Sequence, residues 1–353
     1  MRGLRKYLAP FAPDQSGASA VLSDLGGIIV ICDAGGCAGN ICGFDEPRWF
    51  MKKSAIFSAG LRDMDAIMGR DDRLVEKLVD AASKIEAGFA AIIGTPVPAV
   101  IGTDYHALKR MAAKKTHLPV LAIDTNGMEL YDVGEEKTWL ALFRTFATEQ
   151  YPVEAGSVGI IGATPLEIHS MNAPADYEAA LKTAGYHQIY CYGMGAGTEE
   201  IKKASAVEKN LVIAPCALKT AQYLEEKFGT PYEIAYPAAG QLLADKLAEQ
   251  NLTVSALFGK KILIMHQQVL ANAVREEIRS QVKADCTVAS WFMLKPQLCE
   301  AQDLYLMEED QFTELLEKEQ YDVIIGDDIL KNAAKGFQGI YVNLPHFAVS
   351  GKV

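Results

Sequence analysis

Short apolar runs alternate with amphipathic stretches along the whole chain, and this alternation limits the fold most strongly. Runs such as IIVIC at 28–32, SVGIIG at 157–162 and KKILIM at 260–265 are continuous and rich in β-branched residues. Such runs are typical of parallel strands that are buried on both faces. The stretch DDRLVEKLVDAASKIEAG at 71–88 has the apolar spacing of a helix instead. Strands that alternate with helices predict an α/β fold with mostly parallel sheets.

The alternating pattern starts again twice, which predicts three structural modules. A chain of 353 residues is too long for one ordinary hydrophobic core. The first restart follows Tyr151-Pro152, and the second comes at Lys260. We therefore expect three Rossmann-like modules around a central cleft, over residues 1–152, 153–255 and 256–353.

Charge, hydropathy and cysteine usage narrow the function class. The formal net charge is −11 and no basic stripe offsets it, so we expect no nucleic-acid or anionic-membrane partner. No apolar run approaches the roughly 20 residues that a membrane-spanning helix needs. Seven cysteines without paired spacing are typical of free or metal-bound thiols, which predicts a reducing, cytoplasmic location.

The first apolar run leads into a glycine-rich segment that carries two cysteines. The sequence DAGGCAGNICGF contains Cys37 and Cys42 among Gly35, Gly36 and Gly39. Ligands bind where loops leave the carboxyl ends of parallel strands, and glycines let the backbone approach a bulky group closely. Thiolates placed there are candidate soft-metal ligands. The spacing C-x4-C is not that of zinc knuckles or ferredoxins, so one packed thiol and one incidental loop thiol remain an alternative.

A ligand count predicts what such a metal centre would require. A [4Fe–4S] cluster usually takes four thiolates, and this segment supplies two. Cys32 ends the apolar run and is more typical of the core, and no further cysteine comes before Cys191. Two copies of the chain around a two-fold axis would supply four thiolates. We therefore expect a homodimer that shares one iron–sulfur cluster between its two chains.

Three other positions follow predicted strands and are weaker candidates. Thr95 lies after the run FAAIIG, in a loop that either faces the same crevice as Cys37 or is an ordinary connection, which the sequence favours. Cys216 follows NLVIAP and opens a helix, where a thiolate is stabilised, so it is a candidate reactive or ligating thiol, although the sequence favours a packing thiol. His169 follows SVGIIGATPLEI and is a candidate proton donor or axial ligand, with a hydrogen-bonded core histidine as the alternative.

Nucleotide-binding motifs are missing from the sequence. The segment GMGAGTEE at 193–200 lacks the third glycine of G-x-G-x-x-G, and its two glutamates would repel a pyrophosphate. We interpret it as a strand-to-helix turn. No G-x4-G-K-[ST] sequence occurs, so we expect no nucleotide hydrolysis by this chain.

Two long segments resemble nitrogenase component 1 type oxidoreductases. DAGGCAGNICGFDEPRWF resembles the loop around a cluster cysteine of that family, and NLVIAPCALKTAQYLEEKFGTPYEIAYPAAGQLLADKL resembles the end of its second domain. The resemblance implies an iron–sulfur cluster at Cys37 and a separate ATP-dependent iron–sulfur reductase as electron donor. It also implies a second metallocofactor, or a tetrapyrrole, in the central cleft.

The chain departs from the family pattern at several cluster positions. Ala12 and Thr95 stand where the resemblance places cluster cysteines, and Cys42 is additional. These departures favour a smaller cluster held by Cys37 and Cys42 from two chains. The family's cofactor cysteine aligns near Ile213, three residues before Cys216. An oxidoreductase with an unknown substrate, a scaffold for metallocofactor assembly, and a cluster-free binder of small molecules all remain open.

Overall fold

The computed structural model describes residues 5–49 and 53–352 and contains three parallel β-sheets. The first sheet has the order β2-β1-β3-β4, the second β6-β5-β7-β8, and the third β11-β10-β9-β12-β13, and neighbouring strands pair in parallel throughout. The strands are β1 (Ile28–Ile31), β2 (Ala55–Ser58), β3 (Ala90–Ile93), β4 (Val120–Ile123), β5 (Glu154–Ile161), β6 (Gln188–Cys191), β7 (Val207–Val212), β8 (Tyr232–Ile234), β9 (Lys261–Met265), β10 (Asp285–Ser290), β11 (Leu304–Tyr305), β12 (Val323–Gly326) and β13 (Ile340–Asn343). The predicted α/β fold with three parallel sheets is confirmed.

Helices connect the strands and cover the sheets. They are α1 (Asp14–Leu22), α2 (Gly36–Asn40), α3 (Asp63–Met68), α4 (Asp71–Ala82), α5 (Pro96–Ile101), α6 (Tyr105–Thr116), α7 (Tyr131–Phe146), α8 (Ala173–Thr183), α9 (Thr198–Lys202), α10 (Leu218–Phe228), α11 (Ala239–Ala248), α12 (Gln268–Gln281), α13 (Glu309–Lys318) and α14 (Phe347–Ser350). A π-helical segment, Ile41–Asp45, continues α2. Among the described residues, no helix has the length and apolar character needed to cross a membrane.

Helices α1 and α7 form the centre of the molecule. Every residue of α1 is buried, although the helix is rich in small and polar residues. Its Asp14 carboxylate accepts hydrogen bonds from the backbone N–H groups of Asn126 and Gly127, at 2.9 and 2.7 Å. These bonds satisfy a buried acidic group that would otherwise destabilise the fold. They also fix α1 against the segment that leads into α7.

The carboxyl ends of the second and third sheets meet through hydrogen bonds to backbone carbonyls. Gln267, after β9, donates from Nε2 to the carbonyl oxygen of Ile213, after β7, at 2.7 Å. The Nε2 atom of His346, after β13, lies 3.0 Å from the carbonyl oxygen of Leu166, after β5. The strand ends, where ligands bind in parallel sheets, therefore face a shared junction. The exact module boundaries at 152 and 255 stay predictions.

Candidate metal centre

The segment with the two cysteines begins at the carboxyl end of β1 and is helical rather than an open loop. Gly35 has φ of 119°, a left-handed conformation that favours glycine, and α2 begins at the next residue. Cys37 lies in the first turn of α2, and Cys42 lies in the π-helical segment. The predicted loop is thus a tight turn followed by ten helical residues, Gly36–Asn40 and Ile41–Asp45.

Asp33 explains why a helix forms at this point. Its buried carboxylate accepts a hydrogen bond from the backbone N–H of Ala38 at 2.7 Å and another from the Ser58 hydroxyl at 2.6 Å. An acidic side chain that binds a free N–H group of the first turn stabilises a helix start. Asp33 therefore positions the turn that carries Cys37 and fastens it to β2. This role of Asp33 was not predicted, although an acidic residue just before a glycine-rich segment is a helix-start signal.

Thr95 lies beside Cys37 at the point where the strand order of the first sheet reverses. Strands β1 and β3 are neighbours, and their connections leave in opposite directions, to β2 and to β4. Thr95 is fully buried, precedes α5 and donates a hydrogen bond to the Cys32 carbonyl oxygen at 2.7 Å. Its hydroxyl also opposes the rise in the pKa of the Cys37 thiol. Such a crevice at the carboxyl edge is the usual ligand position in an open parallel sheet.

The Cys37 thiol is protonated in the metal-free protein at neutral pH. Burial raises the pKa of the Cys37 thiol, and the negative charge of Asp33 raises it further. Hydrogen bonds from Thr95 and from the backbone N–H of Cys37 itself oppose part of this effect. Because a metal binds the thiolate, occupation of this site would release a proton.

Cys42 occupies a different helical position from Cys37. Both side chains are half-buried. Five residues along an α-helix correspond to a rotation of about 500°, so the two positions differ by roughly 140°. The Glu46 N–H donates to the Ile41 carbonyl oxygen at 3.0 Å, which marks the π-helical segment. This segment changes the angle between Cys37 and Cys42 only after residue 41. The helix alone therefore does not direct both thiols of one chain to one point.

The glycines around the cysteines leave open space. A Cβ atom built at Gly36, Gly39 or Gly43 would meet no atom within 4 Å. Packing within the described part of the chain therefore does not require glycine at these three positions. Open space beside thiols is what a bulky inorganic group needs, so the residues present fit an iron–sulfur cluster in donor type and in access.

Exposed apolar side chains occur on this segment and on α5, the helix that begins after Thr95. Phe44, two residues after Cys42, is 75% exposed, and Val100 on α5 is 81% exposed. Val97 and Ile101 on α5 and Met64 and Met68 on α3 are also exposed, and α3 contacts α5. Exposed apolar side chains grouped on contacting helices are typical of a site of protein association.

Comparison with known proteins identifies the family. The profile of nitrogenase component 1 type oxidoreductases matches residues 14–239. This chain belongs to that family. The resemblance found in the sequence is confirmed. The matched residues include the first two sheets, the segment with Cys37 and Cys42, and Cys216.

Individual members of the family show how distant the similarity is. A subunit of the light-independent protochlorophyllide reductase of Nostoc punctiforme is 24% identical over 174 residues, covering 46% of this chain and 34% of that protein. The nitrogenase iron-molybdenum cofactor biosynthesis protein NifE of Methanococcus maripaludis is 21% identical over 231 residues, covering 64% of this chain and 46% of that protein. This chain therefore spans about a third to a half of the length of these relatives.

The fold extends beyond the family region. The solved structure "Nitrogenase Cp1 at pH 6.5" superposes with a TM-score of 0.71 and 13% sequence identity, covering 98% of this chain and 87% of that chain. At this identity the likeness shows the fold alone. The third sheet is thus part of the fold that this chain shares with that structure.

Cys216 and His169 are held by separate sets of partners. Cys216 is fully buried in a 3₁₀ turn, Pro215–Ala217, and its Sγ donates to Oε2 of Glu135 at 3.2 Å. His169 is 7% exposed, with Nδ1 2.9 Å from the Tyr236 hydroxyl and Nε2 3.2 Å from Oδ2 of Asp176. Burial lowers the pKa of His169, although Asp176 opposes this effect.

The surroundings of His169 include a cavity for a small ligand. The cavity measures about 310 Å³ and is lined by His169, Asp176, Pro237 and Gln241, among others. This volume is at the lower end of the range for ligand pockets, which is roughly 300–1,000 Å³. It suits a small organic molecule better than a tetrapyrrole. Glu135, the partner of Cys216, was not singled out from the sequence because it does not directly follow a strand along the chain.

A stacked pair of buried histidines predicts acid sensitivity. The rings of His266 and His346 lie 3.9 Å apart, and the Tyr131 hydroxyl lies 3.5 Å from Nε2 of His346. Burial lowers the pKa of His346 to about 3, and burial together with the neighbouring imidazole lowers that of His266 well below its ordinary value.

We expect these histidines to reduce stability as the pH falls below about 6.5. Both are neutral in the folded state and take up protons on unfolding, so acid favours the unfolded chain. Each contributes a slope of about 1.4 kcal/mol per pH unit in the free energy of unfolding. Urea unfolding between pH 7 and 5 should give a smaller slope for His346→Gln. Phe292→Leu, which changes a ring packed on His346, should lower stability with an unchanged slope. Parallel curves for His346→Gln and the native chain would contradict this assignment.

Proposed function

We propose that this protein is a nitrogenase-like oxidoreductase component that receives low-potential electrons through an iron–sulfur cluster shared by two copies of the chain. The observation that carries the proposal is the position of Cys37. It lies at the strand-order reversal of the first sheet, beside open space and an exposed apolar surface. A cluster bound there supplies one-electron transfer at a low potential.

The chain's own residues would hold the cluster and shield it. Cys37 and Cys42 of each copy provide the thiolates, and Asp33 and Thr95 keep the first turn of α2 in place. The exposed side chains of Phe44 and α5 would pack against the second copy, which removes apolar surface from water and limits solvent access to the cluster. Membership of the nitrogenase component 1 type family supports a separate ATP-dependent iron–sulfur reductase as electron donor.

The candidate substrate site lies apart from the cysteine segment, beside His169. The cavity beside His169 has the volume for a small organic substrate, and His169 places a titratable imidazole on its wall. We propose this cavity as the site of reduction, with His169 as the group that holds or donates a proton. Cys216 is enclosed and takes no part in this cavity.

A scaffold for metallocofactor assembly is the second candidate. The NifE relative, named for iron-molybdenum cofactor biosynthesis, matches 64% of this chain, whereas the protochlorophyllide reductase relative matches 46%. An enzyme consumes electrons in the presence of substrate. A scaffold instead releases its bound group to an acceptor protein, so electron consumption separates the two functions.

Substitution of Cys37 is expected to remove the cluster. After anaerobic purification, the native chain should contain iron and sulfide and show an EPR signal when reduced with dithionite. Cys37→Ser should lose iron and sulfide to background, and Cys42→Ser should lose most of both. Cys299→Ser, a half-buried thiol of the third sheet region, is the matched control and should retain them. Full iron and sulfide in Cys37→Ser would overturn the proposal.

A further pair of variants tests whether two copies of the chain share the cluster. Phe44→Asp places a charge in the apolar surface beside Cys42 and should give monomers without iron, although both cysteines are intact. Phe258→Asp changes a phenylalanine of similar exposure, 68% against 75%, outside this surface and should leave dimers with iron. Native mass spectrometry with iron analysis distinguishes the outcomes. Iron-loaded Phe44→Asp monomers would show that one chain binds the cluster alone.

A further inference from the structure

Three metal-binding side chains meet at the carboxyl edge of the second sheet, apart from the cysteine segment. One ligand atom each of Glu135, Glu167 and Cys216 lies within 4.8 Å of the others. Their exposed fractions are 0%, 1% and 0%. Glu167 follows β5 and Cys216 follows β7, the two strands between which the order of the second sheet reverses. Glu135 reaches this point from α7.

One carboxylate oxygen in this cluster has no partner. Oε2 of Glu167 is buried and makes no hydrogen bond to any described residue. A buried polar atom without a partner costs free energy, and a carboxylate in this state costs more than a neutral group. The side chain therefore requires either a proton or a cation. Its two neighbours, a second carboxylate and a thiol, are themselves ligand types.

The spacing of the cluster suits direct coordination. The Cys216 Sγ and Glu135 Oε2 atoms are 3.2 Å apart. With Zn–S and Zn–O distances of about 2.3 and 2.1 Å, a tetrahedral ion separates a sulfur and an oxygen ligand by roughly 3.6 Å. The Cys216–Glu135 pair would open by a few tenths of an ångström to admit an ion, and the remaining ligand atoms, which lie within 4.8 Å, would close around it.

A second hydrogen bond orients Glu135. The Thr164 hydroxyl donates to Oε1 of Glu135 at 2.5 Å, which leaves Oε2 on the side of Cys216. Hydrogen bonds of this kind fix ligating carboxylates in metal sites.

We propose that Glu135, Glu167 and Cys216 bind one divalent transition-metal ion of the Fe²⁺ or Zn²⁺ class. One thiolate with two carboxylates suits a borderline-soft ion rather than Mg²⁺ or Ca²⁺, which take oxygen ligands. The ion offsets two of the three ligand charges in a site closed to solvent. Three protein ligands leave a coordination position for one small exogenous ligand. This site shares no residue with the proposed cluster and is independent of it.

Cobalt binding tests the site in the full-length chain. The double variant Cys37→Ser/Cys42→Ser removes the other candidate thiol ligands and serves as the background. After chelator treatment, this chain should bind one Co²⁺ and show a thiolate-to-cobalt charge-transfer band in the near ultraviolet. Addition of Cys216→Ser should abolish the band. Cys191→Ser, a buried thiol of the same sheet, should leave it unchanged.

A second measurement covers the case in which Cys216→Ser fails to fold. Glu167→Gln keeps the shape of the side chain and removes its charge, so the metal-free variant should melt at or above the temperature of the metal-free parent. Zn²⁺ should raise the melting temperature of the parent, and its affinity for Glu167→Gln should be at least tenfold weaker. No cobalt band in the parent, or an equal Zn²⁺ response in Glu167→Gln, would show that the three groups hold protons instead of an ion.

Discussion

Gly134→Ala is expected to lower the free energy of unfolding by about 3 kcal/mol, as is Gly17→Ala. A Cβ atom at Gly134 would lie 1.8 Å from the carbonyl oxygen of Asp14, and one at Gly17 would lie 1.9 Å from that of Tyr131. Both contacts are with backbone, so no side-chain rotation can relieve them. Helices α1 and α7 would have to separate at the centre of the molecule.

A helical glycine with open surroundings is the control for this pair. Gly39→Ala on α2 meets no atom within 4 Å and gains the better helix propensity of alanine, worth up to about 1 kcal/mol. Its urea midpoint should be equal to or above that of the native chain. A midpoint of Gly134→Ala close to the native value would mean that the two helices are not packed backbone to backbone.

Arg48→Met is expected to cost 3–5 kcal/mol, roughly the loss seen when one partner of a buried ion pair is removed. Arg48 is 6% exposed, and its guanidinium forms two bonds of 2.8 Å to the carboxylate of Glu46. It also donates to the carbonyl oxygens of Ala20 at 2.6 Å and Gly193 at 3.1 Å. The substitution leaves the Glu46 charge buried without its partner and removes donors from both carbonyls. The segment after Cys42 would lose its link to α1 and to the turn after β6.

Two variants distinguish the contribution of the buried ion pair to stability from that of side-chain packing. Glu46→Gln combined with Arg48→Met should cost less than the sum of the two single substitutions, because no unpaired charge remains. Arg70→Met breaks a similar two-bond pair with Asp72, but on the exposed surface, and should leave the urea midpoint nearly unchanged. Equal losses for Arg48→Met and Arg70→Met would contradict the proposed role of burial.

The central strands were predictable because their sequences are continuously apolar, as expected for strands that are buried on both faces. The runs that form β1, β3, β9 and β12 are apolar and lie between two neighbouring strands in their sheets. The sheet edges carry weaker signals. β2 and β13 are short, mostly half-buried and end in a polar residue, so their sequences give a weaker strand signal.

The segment with Cys37 and Cys42 was also only partly predictable from the sequence. Its place after a buried strand, and hence at a ligand-binding edge, follows from the apolar run and the glycines. The helix from residue 36 onwards depends on the Asp33 carboxylate, whose second partner, Ser58, comes from another strand. Proximity of Thr95 to Cys37 depends on β1 and β3 being neighbours, which the sequence pattern alone does not state.

Sequence alone determined the order of the central strands and of the long amphipathic helices, because apolar periodicity records which faces of each segment avoid water. It also placed Cys37 and Cys216 after strands. Only the tertiary structure decided which distant side chains meet. Glu135 reaches Cys216 and Glu167 because α7 packs across the end of the second sheet, and contacts of this kind arise from the packing of whole elements, which no local pattern encodes.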